Sequence, residues 1–171
     1  NGTLDTTFDG DGHAITDFGN TGEIANDIVI QAHGRIVAVG SSNDSIAISR
    51  YTTTGALDTT FDGDGRFLRR FGTHRSDTAK TVAIQSDGRL VVAGTSYVDA
   101  AYNFINHDSF VMRLNQGGSL DRTFGGTGFV NTNFGSSSYS FDEARNLVIQ
   151  GDGRIVVTGY ARFNFNSYVS V

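Results

Sequence analysis

The residues whose types and spacing first invite chemistry are two acidic pairs on glycine-rich turns. "DGDG" carries Asp9 and Asp11, and the same four letters return with Asp62 and Asp64. Carboxylates two residues apart are the hard oxygen donors that calcium takes, but calcium asks for about six to eight oxygens and each turn supplies only part of a shell. A third copy of the turn has Gly125 and Thr127 where the carboxylates stand. The turn therefore does not require metal, and the expectation is no cofactor, with calcium at Asp9, Asp11, Asp62 and Asp64 as the alternative.

A second set is ionic and recurs. Glu23, Asp77 and Asp142 each stand two residues before a constant alanine, while Arg35, Arg89 and Arg154 each open an apolar run. That spacing predicts one acid–base pair per unit, worth at most about 1 kcal/mol each if exposed. A set that recurs in every unit reads as structural, because catalysis needs its constellation once. The four histidines, His13, His33, His74 and His107, do not recur in register, and no metal-binding histidine pair, serine elbow or phosphate loop accompanies them. They read as surface residues, and no catalytic residue is assigned. A hydrolase or lyase built across several units stays as the alternative from another class; its only basic concentration is Arg66, Arg69 and Arg70.

The third set is aromatic. Where one unit has only "SSND", the next has "TSYVDAAYNFINHD", with Tyr97, Tyr102, Phe104 and Ile105, and the last has "YARFNFNS", with Tyr160, Phe163 and Phe165. These insertions read as loops on one face of neighbouring units, near Phe71 and opposite the Asp-Gly turns. Together they form a surface suited to a protein or to sugar rings.

The elements that must position these residues come from a repeat. "LDTTFDGDG" stands at Leu4 to Gly12 and again at Leu57 to Gly65, and "LDRTFGGTG" begins at Leu120. A Phe-Gly pair follows each copy at Phe18, Phe71 and Phe134. Then come "ANDIVIQAHGRIVAVG", "AKTVAIQSDGRLVVAG" and "ARNLVIQGDGRIVVTG". The constant positions include Asp5, Phe8, Gln31 and Arg35 in the first unit, Asp58, Phe61, Gln85 and Arg89 in the second, and Asp121, Phe124, Gln150 and Arg154 in the third. "DIVIQ" and "RIVAVG" are β-branched runs of strand length, and "AHG", "SDG" and "GDG" are hairpin links that want positive φ, a conformation His33 tolerates. A strand precedes each hairpin in "GHAITDF", "GRFLRRF" and "GFVNTNF", and another follows in "SIAISRY", "SFVMRL" and "SYVSV".

Each unit thus reads as a four-stranded meander, and the chain as an all-β repeat β-propeller of about three blades. The blades run 4–56, 57–119 and 120–171 within one repeat region. "LDxTF" is expected to join the last strand of one blade to the first of the next. Its leucines and phenylalanines would fill the space between blades, and its aspartates and threonines would bond nearby backbone N–H groups.

The combination of "GxLDxTFxxxG", a following "FG", "AxxVxxQxDGRIVVAG" and "RY…GxLD" resembles the delta-60 repeat, a β-propeller repeat of bacterial proteins that are often large and exported. The resemblance covers nearly the whole chain. It implies a bacterial secreted or cell-surface protein with no assigned reaction. His33 departs from the usual Asp, and the second copy carries an insertion.

Composition agrees with a β repeat. Among 171 residues there are 22 Gly and no Pro, where average usage would give roughly eight or nine prolines. Turns must then rely on Gly, Asn and Asp. A net charge of -5, with no basic run, gives no electrostatic footing for nucleic acid or an anionic membrane. No stretch approaches the about eighteen apolar residues of a membrane span, and no secretory leader is visible. Zero Cys removes disulfides and thiolate chemistry.

Propellers close with about four to eight blades. The chain starts at Asn1, its single Met is Met112, and the repeat pattern is cut at both ends. The expectation is a piece of a longer array, or protomers that complete one another's sheet. The functional reading is a non-enzymatic extracellular structural or adhesive module for protein or carbohydrate. The alternative is a unit that self-assembles into a ring or filament through its open edges.

Overall fold

The structure, a computed structural model, describes residues 2–19, 21–71, 76–100, 104–135, 140–163 and 167–170. It is built of antiparallel meanders. β1 (Ile24–Ile30), β2 (Ile36–Ser42), β3 (Ser45–Tyr51) and β4 (Arg66–Arg69) pair in chain order. β5 (Thr78–Ile84), β6 (Leu90–Ala100), β7 (Phe104–Leu114) and β8 (Phe129–Thr132) do the same. β9 (Ser140–Ile149), β10 (Ile155–Phe163) and β11 (Ser167–Ser170) form the third set, joined to β7 by one parallel bridge, His107 to Phe141. The all-β fold of antiparallel meanders expected from the sequence is what the chain forms.

The hairpin links behave as their residue types require. Gly34, Gly88 and Gly153 carry φ of 76°, 82° and 85°, and His33 takes φ 65° beside the first. Gln31 N then donates to Arg35 O, and the same bond recurs from Gln85 to Arg89 and from Gln150 to Arg154. These glutamines and arginines therefore bracket the turn in all three copies.

Sheet and sequence unit are out of phase by one strand. "RFLR" of the second unit is β4 and hydrogen-bonds to β3 of the first, and "FVNT" of the third unit is β8 and bonds to β7 of the second. The phrase "LDTTFDGDG" at 57–65 therefore connects the third and fourth strands of one sheet and does not join two blades. "GHAITDF", expected as a strand, forms none over 13–18, because β3 and β7 partner its counterparts and no such strand lies beside it among the described residues. Ile15 is 92% exposed in consequence.

Each meander has a bulge at its first hairpin. The register of β1 with β2 shifts between Ala25 and Asp27, that of β5 with β6 between Ala79 and Thr81, and β10 with β9 shifts at Thr158/Gly159. The residue skipped is Asn26, Lys80 or Arg145. Opposite each bulge stands a glycine, Gly40, Gly94 or Gly159. A Cβ there would lie 1.8, 2.0 or 1.9 Å from the carbonyl oxygen of Ile24, Thr78 or Glu143. Close backbone approach, and not positive φ, is what these three glycines permit.

The core lies between successive sheets. Val37, Val39, Ile46 and Ile48 of the first pack on Ala79, Val82, Leu90 and Val92 of the second, with Phe61 of the phrase fully buried among them. Val91 and Ala93 of the second sheet pack in turn on Ala144 and Leu147 of the third. Each fully buried Val, Leu, Ile or Phe among them contributes roughly 1.5–3 kcal/mol by leaving water. The phrase residues fill this space unevenly: Leu57, Leu120, Phe8 and Phe124 are half-buried, while Leu4 is 58% exposed.

Candidate functional site

The insertions are not loops over most of their length. They extend the β6–β7 ladder, with Tyr97 opposite His107, Val98 opposite Asn106, Asp99 opposite Ile105 and Ala100 opposite Phe104. The "YARF" of the last unit extends β10, where Phe163 pairs Ser167 of β11. Tyr102 and Phe165 lie outside the described residues. Phe104, Ile105 and Phe163 supply strand backbone, and their side chains lie outside the described set.

Tyr97 and Tyr160 are brought into one chain of rings by two residues that spacing did not single out. Tyr97 meets His107 edge-on at 5.3 Å, His107 meets Phe141 at 4.5 Å, and Phe141 meets Tyr160 at 6.1 Å. Arg145, the bulge residue of the third sheet, lays its guanidinium 5.7 Å from the Tyr160 ring. The parallel bridge between His107 and Phe141 is what sets these rings side by side. All four rings are half-buried, whereas the Arg145 side chain is 65% exposed.

The expectation that His107 is a surface residue is corrected here. It is half-buried, its Nδ1 has no hydrogen-bond partner, and burial pushes its imidazole below the ordinary value, with Glu143 pulling weakly the other way. On the opposite face of the same bridge, Asp108 and Asp142 are both buried and each keeps one oxygen without a partner. Burial first, and the neighbouring Asp142 second, push the Asp108 carboxyl up, while Asn133 opposes them.

Below the rings a cavity of about 130 Å³ opens between the second and third sheets. It is lined by Val111, Thr132, Phe134, Glu143, Val157 and Tyr160, among others. That is room for one ring or one side chain. A larger open cleft, about 510 Å³, lies between Asp62, Phe67, Arg69, Leu120 and Arg122. Among the described residues it brings no pair of the expected site residues together.

The expected pairs of Glu23, Asp77 and Asp142 with Arg35, Arg89 and Arg154 do not form. Asp77 instead accepts from Phe71 N at 2.5 Å, Ser96 Oγ at 2.8 Å and Tyr97 N at 3.2 Å. Asp142 accepts from Phe134 N and Ser140 Oγ, and Glu23 from Ser42 Oγ. These acids hold the crossing from one sheet to the next, which also ties Phe71 to Tyr97. A carboxylate accepting backbone N–H groups at a chain crossing satisfies donors that no ladder can reach.

The arginines go elsewhere. Arg35 Nε lies 3.1 Å from Asp58 and Arg89 Nε 3.3 Å from Asp121, while Arg154 reaches Asp152 at 2.9 Å. The main partners of the phrase aspartates are Arg50 and Arg113, at 2.9 and 2.7 Å. Each of these two also donates to the phrase threonine, Thr60 or Thr123, and lies over the phrase phenylalanine, Phe61 or Phe124. Burial pushes the Asp58 carboxyl up, yet the Thr60 hydroxyl and amide, with Arg50 and Arg35, hold it below the ordinary value. Asp5 bonds Thr7 in the same way and is held low by it, and no arginine faces it among the described residues.

The acidic turns use their carboxylates locally. Asp9 and Asp62 take φ of 49° and 50°, and their amides donate to Thr54 O and Gly117 O of the next turn. Asp11 Oδ1 accepts from His13 N, and Asp64 accepts from both the amide and the guanidinium of Arg66. Among the described residues no three His, Asp or Glu side chains converge as a metal cluster. The basic trio is likewise engaged: Arg66 donates to Asp17 O, Arg70 to Asn43 O, and Arg69 lies 5.3 Å from the Phe71 ring.

A family model described as a domain of unknown function (DUF5122) beta-propeller matches residues 31–61 and 85–124. The chain carries β-propeller repeats. Both matched windows run from the repeat glutamine through the second hairpin to the phrase phenylalanine, so they cover equivalent parts of the first two units. No curated protein matches the chain. No helix among the described residues is long and apolar enough to cross a membrane.

Proposed function

We propose that this chain is a non-enzymatic structural or adhesive module of bacterial delta-60-type propeller blades, working outside the cell or on its surface. Its binding surface is the ring chain Tyr97–His107–Phe141–Tyr160 with Arg145 at its end. The observation that carries this reading is the convergence of two unit-specific hairpin extensions on one junction, where the rest of the repeat has none. Half-exposed rings backed by a rigid ladder, with a cation beside them, suit a sugar ring or an aromatic or acidic peptide side chain. The residue types there include no nucleophile with a base and an orienting partner, so no reaction is assigned.

The test is a binding screen of the chain against immobilised glycans and peptides, repeated with Tyr160→Ala and Arg145→Ala. The expected result is a hit weakened at least tenfold by either substitution with the fold intact. A hit unchanged by both would overturn the assignment of this surface, and turnover of a glycoside or ester substrate panel would overturn the non-enzymatic reading.

A further inference from the structure

The open cleft of about 510 Å³ lies between the β1–β4 meander and the β5–β8 meander. One wall is β4, with Leu68 and Arg69. The other is the third copy of the phrase, which connects β7 to β8 and contributes Ser119, Leu120, Arg122 and Thr127. Asp62, at the turn before β4, ties the walls together, because its amide donates to Gly117 O at 2.8 Å. Room of this size takes a small ligand.

The repeat changes its charge at this cleft, and on both walls in the same direction. The phrase at 4–12 and again at 57–65 carries three carboxylates and no cation. In the third copy Arg122 stands where the others have Thr6 and Thr59, while Gly125 and Thr127 replace two aspartates. The one carboxylate left, Asp121, is committed to Arg113 and Arg89. On the facing wall, Arg69 stands where the other units have Thr16 and Thr132. Two guanidinium groups from different units thus line one cleft in a chain whose net charge is -5. Neither forms an ion pair among the described residues, and the contact of Arg69 with the Phe71 ring leaves its charge unmatched. A single surface arginine says little, but two acids lost and two cations gained across one cleft make a local positive field.

We infer that this cleft binds a uronate, a sugar whose ring bears a carboxylate. Arg69 and Arg122 take the carboxylate, for which the planar guanidinium is a forked, charge-matched donor. The hydroxyls of Ser119 and Thr127 and the carboxyl of Asp62 meet the ring hydroxyls, and Leu68 and Leu120 meet its apolar face. Asp62 is what favours a sugar over an acidic peptide. It accepts from ring hydroxyls, whereas a glutamate side chain brings it only a like charge. Burial first, and Asp64 second, push the Asp62 carboxyl up, which weakens its repulsion of an incoming anion. The cleft shares no residue with the ring chain, so the two surfaces stand or fall separately.

Isothermal titration of the whole chain with short galacturonate and mannuronate oligomers at low salt tests this. At least one oligomer is expected to bind, and its methyl ester, which lacks the charge, is expected not to. Arg122→Thr and Arg69→Thr, which put back the residue of the other units, are each expected to weaken binding at least tenfold, and Tyr160→Ala to leave it unchanged. Far-UV circular dichroism checks that the variants keep their strands; should either misfold, Arg122→Gln and Arg69→Gln remove the same charges. No binding of either oligomer, equal binding of the ester, or an affinity unmoved by both arginine changes would overturn the inference. Binding lost in Tyr160→Ala and kept in the arginine variants would overturn it too, by moving the ligand to the ring chain. Tighter binding of oligoglutamate than of either uronate would assign the cleft to acidic peptides instead.

Discussion

Arg50 and Asp58 are both buried, and their Nε and Oδ2 atoms lie 2.9 Å apart at the end of β3. The same guanidinium donates to Thr60 Oγ1 at 2.8 Å and to Gln116 O at 2.5 Å, so one side chain closes its own sheet's last turn and reaches the next sheet. Removing one partner of a buried pair leaves the other charged and unmatched, which costs about 3–5 kcal/mol. Arg50→Ala is therefore expected to cost about 3 kcal/mol, with Arg35 covering part of the loss. In a chain of this length that is a fall of about 6–12 °C in Tm. Asp5→Asn, at the position where no arginine faces the carboxylate among the described residues, is expected to leave Tm nearly unchanged. Equal losses in the two variants would show that the arginine pair is not what stabilises the phrase.

Gly94→Ala tests the bulge. The added Cβ would sit 2.0 Å from Thr78 O and 3.0 Å from the Phe110 ring, so the bulge, the ladder or both must move. Overpacking of this kind costs about 1–3 kcal/mol or more. Gly117→Ala, where a Cβ meets nothing within 4 Å, is the matched control. Urea midpoints of the two variants are expected to separate by the full cost, and coincident midpoints would mean the bulge relaxes freely.

What was legible in the sequence was whatever repeats. The hairpins, the Asp-Gly links and the recurrence of "LDxTF" could be read because the same local physics is written three times. Phase was not legible, because a period gives the length of a unit and not which strand of it pairs backward; only hydrogen bonding of β4 to β3 decides that. Arg50 and Arg113 carry a signal, each standing eight residues before its aspartate in both complete copies. It was overshadowed by the Arg35 series, which repeats three times but pairs across to a different acid than spacing suggested. His107 and Phe141 had no such signal, since each occurs in one unit alone and they meet only through the parallel bridge.

Calcium at the acidic turns makes a clean prediction. Asp64 has both oxygens committed to Arg66, and Asp62 has its carboxyl pushed up by burial and then by Asp64, so neither is poised to add a cation. Adding EDTA or millimolar calcium is expected to leave Tm unchanged. A rise of several degrees with calcium, lost in Asp62→Asn, would establish the site instead.

The last prediction concerns pH at the ring chain. Burial holds His107 below its ordinary value of 6.5, so the folded chain binds fewer protons there than the unfolded chain as pH falls beneath 6.5. Stability present above 6.5 is then lost progressively until the folded value is reached, and no further below it. Asp108 has the opposite sign. Its carboxyl is pushed above the ordinary 3.8 by burial and by Asp142, so its contribution is full below 3.8 and is lost as pH rises through the raised value. Urea unfolding from about pH 4 to 8 separates the two. His107→Gln is expected to abolish the loss that begins at 6.5 while leaving the acid-side slope, and Asp108→Asn to do the reverse and to raise stability near neutrality. An unchanged slope below 6.5 in His107→Gln would show that His107 is as well solvated in the fold as in the unfolded chain, and that the ring chain does not bury it.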